Sequence, residues 1–356
     1  MADEIVTLDG IPEIADPNIR AVAKRALLVC QRAALKAAAH DTWPSDYKMP
    51  GGDSLEGLFL NRLQSLPQPK RDAAKARSIG FLRQPKEVQR GVYGDIADID
   101  LSTAEPISER ANRSFPAQLK FPKSHLDTLK HLRGDIIRPG GIGGGVVPQQ
   151  TTDKLELRLY RVRCIDETGD GWGGEWGKDE IDLGGVGVDE TGDTHKVAAY
   201  RVGNFDDGNV VNYSPPRRFT MFDLREGTAW PKSYFVTLAL AEIDMGGIAD
   251  YLNRLVDKVR TEVITALTTA IGTAIGTSGG VVGMVIGAAV GWCVGKAIEW
   301  LKAWWGDDIF NPQTVSVNIP SFNARWSGAT NSSPRSVNFK GHDGEYEIVY
   351  DWRVYS

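Results

Sequence analysis

Cysteine is scarce in this chain: three in 356 residues, at Cys30, Cys164 and Cys293. That is too few and too scattered for a disulfide framework, and no Cys-x-x-Cys pair offers a zinc site, so synthesis in a reducing cytosol is expected. Histidine is also sparse. His40, His125, His131, His195 and His342 include no His-Glu-x-x-His, and His125 and His131, six residues apart, do not share a helix face. A Cys164–His195 nucleophile and base would have to form across strands, and a buried strand cysteine is the plainer expectation. Gly140-Gly-Ile-Gly-Gly-Gly145 lacks the Lys-Ser/Thr of a phosphate loop.

Positive charge is not in excess. The net charge is −5; residues 1–150 carry 21 Lys+Arg against 18 Asp+Glu, and the remainder 20 against 28. An acidic second half argues against a nucleic-acid surface there and suits cation binding. The start, Met1-Ala-Asp-Glu-Ile-Val-Thr, is acidic where a secretory signal would be basic and then apolar. Sec-type export is therefore not expected, and a protein that leaves its cell would be released or injected by another route.

The most informative absence is local. Between Glu262 and Lys296 the chain runs 33 residues without a charge, and glycines fall at Gly272, Gly276 and Gly280 and again at Gly283, Gly287, Gly291 and Gly295. A step of four keeps them near one face of a helix, where missing side chains let a second backbone approach closely. One continuous helix of that length would span about 50 Å against a hydrocarbon core of about 30 Å, whereas two arms of about sixteen residues span roughly 24 Å each. A hairpin is expected, with Tyr251–Ile271 and Val281–Trp305 as arms and Thr277-Ser-Gly-Gly280 as the bend. Trp292, Trp300, Trp304 and Trp305 with Lys296 and Lys302 resemble an interfacial rim.

Elsewhere the pattern divides in two. Asp16-Pro17 reads as an N-cap with proline at the first helical position, opening a helix to about Ala39. Asp53-x-x-Glu56 resembles a capping box before Leu58, Phe59 and Leu63, Ser124-x-x-Asp127 opens a shorter helix, and Pro67–Pro122 reads as short elements wrapped on helices. Arg138-Pro-Gly-Gly-Ile-Gly-Gly-Gly marks a linker. After it, alternation takes over: Leu155, Leu157 and Leu159, then Val162 and Cys164 after a one-residue shift at Tyr160-Arg161. Further strands are expected at 196–202, 217–224, 233–242, 314–319, 336–340 and 345–354. The expected organisation is α+β: a helical N-terminal domain over 1–137, a linker over 138–153, an antiparallel β-sandwich over 154–250 and 311–356, and the glycine-zipper hairpin inserted over 251–310.

An acidic loop, Asp166-Glu-Thr-Gly-Asp170-Gly-Trp-Gly-Gly-Glu-Trp-Gly-Lys-Asp179, follows the first strand, and Asp-Glu-Thr-Gly-Asp recurs at Asp189–Asp193. Glycines let such a loop turn its carboxylates inward, and a hard cation such as Ca²⁺ takes six to eight oxygens from loops of this kind. The spacing is not that of an EF-hand.

The order of parts resembles a C2 domain over about 110 residues: Lys154-Leu-Glu-Leu-Arg-Leu, the loop Asp166–Asp170, Asp179-Glu180-Ile181, Pro215-Pro-Arg-Arg-Phe219-Thr-Met-Phe222, and Val236–Glu242-Ile-Asp244. The resemblance implies a sandwich with Asp166, Asp170, Asp179 and Asp244 gathered at one end as calcium ligands. Two features depart from that family, Glu242-Ile-Asp244 in place of its second Asp-x-Asp and the helical insertion directly afterwards.

Taken together, the residues point to a non-enzymatic, membrane-active protein of the toxin or effector kind, able to self-associate, with a lipid membrane or a protein assembly as partner. Gly272, Gly276, Gly280, Gly283, Gly287, Gly291, Gly295, Trp300 and Trp304 would carry the helix packing and membrane contact. The competing readings are a structural or cargo protein of a larger assembly, such as a contractile injection particle, with the hairpin permanently buried, and a metal-dependent hydrolase working from the Asp166–Glu180 loop.

Overall fold

A computed structural model describes residues 4–9, 14, 16–103, 152–168, 178–190, 193–226, 230–242, 248–271, 289–297, 299–300, 310–341 and 344–356. The expected linker up to 151, the helix after Ser124, the hairpin bend, Asp170, Asp244 and Trp304 lie outside these residues, as do Gly272, Gly276, Gly280, Gly283 and Gly287.

The described strands form two antiparallel sheets. One runs β1(Val6–Asp9), β7(Gln313–Ile319), β6(Lys232–Glu242), β3(Asp179–Val188), β4(Thr194–Phe205); the other runs β5(Val210–Asp223), β2(Lys154–Asp166), β9(Gly344–Tyr355), β8(Arg335–Gly341). The expected shift in β2 is present, since its register against both β5 and β9 slips between Leu159 and Arg161. Leu155, Leu157, Leu159, Val162 and Cys164 all reach the interior in consequence.

One strand departs from expectation. The first 137 residues are not helical throughout, because Val6–Asp9 pairs with β7 and Ile5 is buried among the sheets. Four residues carry too little periodicity to read locally; the open edge of β7 supplies their hydrogen bonds. The Trp326 indole N–H donates to the Thr7 hydroxyl at 3.1 Å, and Asp9 takes Arg335 and the Tyr350 hydroxyl.

β3 was expected only as the short Asp179-Glu-Ile piece. It runs to Val188 because its two faces meet two different cores. Ile181 and Leu183 point between the sheets, while Val186 and Val188 point outward beneath helices. Gly185 and Gly187 admit close neighbours: a Cβ at Gly185 would meet the Thr237 carbonyl oxygen of adjacent β6 at 2.2 Å and the Phe219 ring of the other sheet at 3.2 Å, and one at Gly187 would meet the Phe222 ring of the other sheet at 2.7 Å. β6 alternates in the same way, with Tyr234, Val236, Leu238 and Leu240 inside and Phe235, Ala239 and Ala241 outside.

The helices cover that outer face. α1(Pro17–Thr42) starts as expected, with the Asp16 carboxylate accepting from the Asn18 and Ile19 amides at 2.9 Å. α2(Leu55–Ser65) uses Ser54, not Asp53, as its N-cap, accepting from the Gly57 amide at 2.9 Å. Glu56 is thereby freed from capping and turns inward to Lys36 at 2.8 Å. Within Pro67–Pro122, short helices do form: α3(Gln68–Leu82), α4(Lys86–Tyr93) and a 3-10 turn over Gly94–Asp98. α5(Ile248–Ile271) buries Tyr251, Leu255, Val256, Val259, Val263 and Ala266 at helical spacing. Residues 289–297 are also helical and bury Ala289, Val290, Cys293, Val294 and Ala297. α5 contacts α1, α2, β3, β4 and β6.

Two apolar cores result. One fills the space between the sheets; the other joins α1, α2, α5 and residues 289–294 to the outer face of β3 and β6 through Val186, Val188, Phe235, Ala239 and Ala241.

Candidate functional site

The expected cation loop is represented by Asp166 and Asp179. Asp166 ends β2 and is exposed, paired in register with Glu345. Asp179 is 7% exposed, and its carboxylate accepts from the Tyr346 hydroxyl at 2.6 Å and from the Thr168 amide and hydroxyl at 2.8 Å each. Burial and this neighbour raise the Tyr346 hydroxyl pKa far above its ordinary value, so it remains a donor. Asp179 thus ties the start of β3 to β9 in the opposite sheet, and its oxygens already serve protein donors.

The repeat of Asp-Glu-Thr-Gly-Asp leads to a denser cluster. The β3–β4 connection begins at Asp189, whose carboxylate accepts the Asp193 amide at 2.9 Å and lies 3.3 Å from His195 Nε2. The His195 ring stands edge-on to Phe222 at 5.3 Å between centroids. Its pKa is raised, first by the bond to Asp189 and against its partial burial, with Glu226 and Asp193 adding to the rise. Beside it Glu190 and Lys232 form an ion pair at 3.0 Å, 3% and 0% exposed. The Lys232 ammonium also donates to the Leu224 carbonyl at 2.6 Å and to that of Glu226, and lies 4.7 Å from the Trp230 ring centroid. Every polar atom of this lysine is therefore engaged, as a buried ammonium requires.

Asp189, His195 and Glu226 each offer one ligand atom, and the three lie within 4.8 Å of one another. A nitrogen and two carboxylate oxygens suit a borderline divalent ion better than Ca²⁺, which wants oxygens alone. His195 was weighed in the sequence only as a base for Cys164; Asp189 lies six residues before it, but Glu226 arrives from the connection between β5 and β6. The only local signal was the repeated acidic string two residues before it.

The same turn grips the helical layer. The Arg260 guanidinium of α5 is paired with the Asp193 carboxylate. Asp193 is thus held by its amide to Asp189 and by its side chain to α5, which couples the His195 cluster to the helix that leads into the uncharged run.

Of the expected zipper residues, Gly291 is buried and Gly295 half-buried within the helical stretch 289–297. Trp292 and Trp300 are partly buried against the helical core, and Trp305 of the expected rim lies outside the described residues. Lys296 pairs with Glu299 at 2.7 Å. Among the described residues no helix is long and apolar enough to cross a membrane.

The Cys164–His195 pair does not form. Cys164 is buried beside the Tyr346 hydroxyl in the other sheet, and burial pushes its thiol up to about 11, which removes the thiolate a nucleophile needs. Comparisons with protein-family models, curated proteins and solved structures found no match.

Proposed function

We propose that this chain is a non-enzymatic, membrane-active protein that stores a glycine-zipper hairpin on the back of a β-sandwich. The separation of the two cores supports this reading. α5 and residues 289–294 belong to the helical core and contribute nothing to the core between the sheets. A hairpin built on these arms can therefore leave without opening the sandwich.

It does not leave unaided. Leu255, Val256, Val259, Val263, Val290 and Val294 are each at most 1% exposed. At about 1.5–3 kcal/mol per buried aliphatic side chain, their burial is worth roughly 9–18 kcal/mol, comparable with the whole stability of a domain. Release needs a trigger, and the Asp193–Arg260 latch is where one would act. The C2-like character of the sandwich belongs to this proposal and rests on the order of its elements; Ca²⁺ binding at the Asp166 end is weakened by the engagement of Asp179. The depth of the same burial favours one competitor, a structural or cargo protein whose hairpin never leaves.

Dye release from anionic liposomes by the full chain, with and without Ca²⁺, separates the two. The buried Cys30 and Cys293 thiols meet, which provides a lock between α1 and the returning arm. Leakage by the reduced protein, blocked after oxidation of this pair and restored by dithiothreitol, is the expected result. Intact vesicles at micromolar protein, with the hairpin resistant to protease, would establish the structural reading instead.

A further inference from the structure

Where α1, α4 and the segment 97–100 meet, a partly open cavity of about 400 Å³ is lined by Arg32, Lys36, Lys48, Lys86, Asp98 and Asp100 among others. Arg32 is the unusual member. It is 6% exposed on the central helix, and its Nη2 donates to the Ala97 carbonyl at 3.1 Å. Nε and Nη1 are sealed from solvent and meet no acceptor. The Tyr93 ring lies 5.7 Å from its Cζ, and among the described residues no carboxylate pairs with it. A buried guanidinium without a counter-anion is costly, and such a charge beside a cavity asks for an anion there.

The other walls do not supply one. Asp98 is held by Arg90 at 2.7 Å, and Asp100 by the Ser102 amide and hydroxyl at 2.9 and 2.6 Å, with Lys48 at 3.5 Å. Lys36 is committed to Glu56. Lys86 is exposed and has no ion-pair partner among the described residues. Four cations, Arg32, Lys36, Lys48 and Lys86, thus line the opening with two carboxylates, Asp98 and Asp100, an excess of two positive charges.

We propose that this cavity binds a small phosphate-bearing ligand, with the dianionic phosphate held between Lys48 and Lys86 in the field of the buried Arg32 charge. The charge excess matches a phosphate monoester, and the volume falls in the range of small-molecule pockets. The site involves neither the hairpin nor the sandwich, so it stands or falls apart from the membrane reading.

Calorimetric titration of the full chain with inorganic phosphate, and in parallel with glycerol 3-phosphate, tests it at constant ionic strength against chloride. Saturable binding is expected, weakened about tenfold by Lys86→Gln, the loss of one charge-assisted contact. Lys48→Gln, also at an exposed position, should act in the same direction. Arg32→Met should keep or raise the melting temperature without ligand, because a buried charge is removed, while losing the stabilisation that phosphate gives the native chain. Absence of saturable binding with both probes overturns the proposal, as does equal phosphate stabilisation of the native protein, Lys86→Gln and Arg32→Met.

Discussion

Cys30 on α1 and Cys293 in the helical stretch 289–297 place their thiols together in the helical core, 2% and 0% exposed. Burial, reinforced by the neighbouring Cys30, holds the Cys293 pKa well above its ordinary value. Cys164 lies in the other core, between the sheets.

That division gives a thiol-labelling prediction. In mild denaturant or on lipid, Cys30 and Cys293 should become reactive to Ellman's reagent before Cys164, because the helical layer opens as its own unit. Simultaneous labelling of all three, followed by mass spectrometry of peptides, would show instead that both cores open as one.

Lys232 and Glu190 form a buried pair whose lysine is wholly enclosed. Lys232→Met leaves the Glu190 carboxylate uncompensated and should cost about 3–5 kcal/mol in urea unfolding. Adding Glu190→Gln should recover much of that loss, because the stranded charge disappears with its partner. A double variant as unstable as the two single losses added together would mean that the pair is not coupled.

Asp179→Asn separates a structural carboxylate from a catalytic or calcium-binding one. The substitution weakens the bonds from Tyr346 and Thr168, and about 1–3 kcal/mol of stability should go with them. A cation-loop role predicts the opposite, an unchanged melting temperature in metal-free buffer with loss of any Ca²⁺ response.

His195 faces Asp189, Asp193 and Glu226, and its pKa is raised, chiefly by Asp189. Such a group stabilises the fold fully below its unfolded pKa of about 6.5, and the contribution fades as pH rises through the higher folded value. Melting temperatures of the native protein and His195→Gln should therefore differ most in mild acid and converge in base. Acid alone is accordingly not expected to loosen this end of the Asp193–Arg260 latch.

Much of the strand pattern was legible because a half-buried strand writes its alternation locally. Leu155, Leu157 and Leu159, and the slip at Tyr160-Arg161, needed no knowledge of partners. β3 was harder to read, since Ile181 and Leu183 face one core, Val186 and Val188 another, and Gly185 and Gly187 carry no side chain at all. The cap of α2 went to Ser54 because Glu56, the other half of the expected capping box, is drawn inward by Lys36. No local rule foresees a partner on another helix.

The sequence alone determined the α+β composition, the uncharged run with its four-residue glycine step, and the helical character of the segments on either side of it, all consequences of periodicity within one stretch of chain. Only the tertiary structure decided that α1, α2 and α5 share a core on the outer face of β3 and β6, that Val6–Asp9 joins the sheet, that Asp189, His195 and Glu226 converge, and that Arg32 faces a cavity without a counter-anion. Those facts depend on residues tens to hundreds of positions apart, and proximity of that kind is created by packing, not written in local spacing.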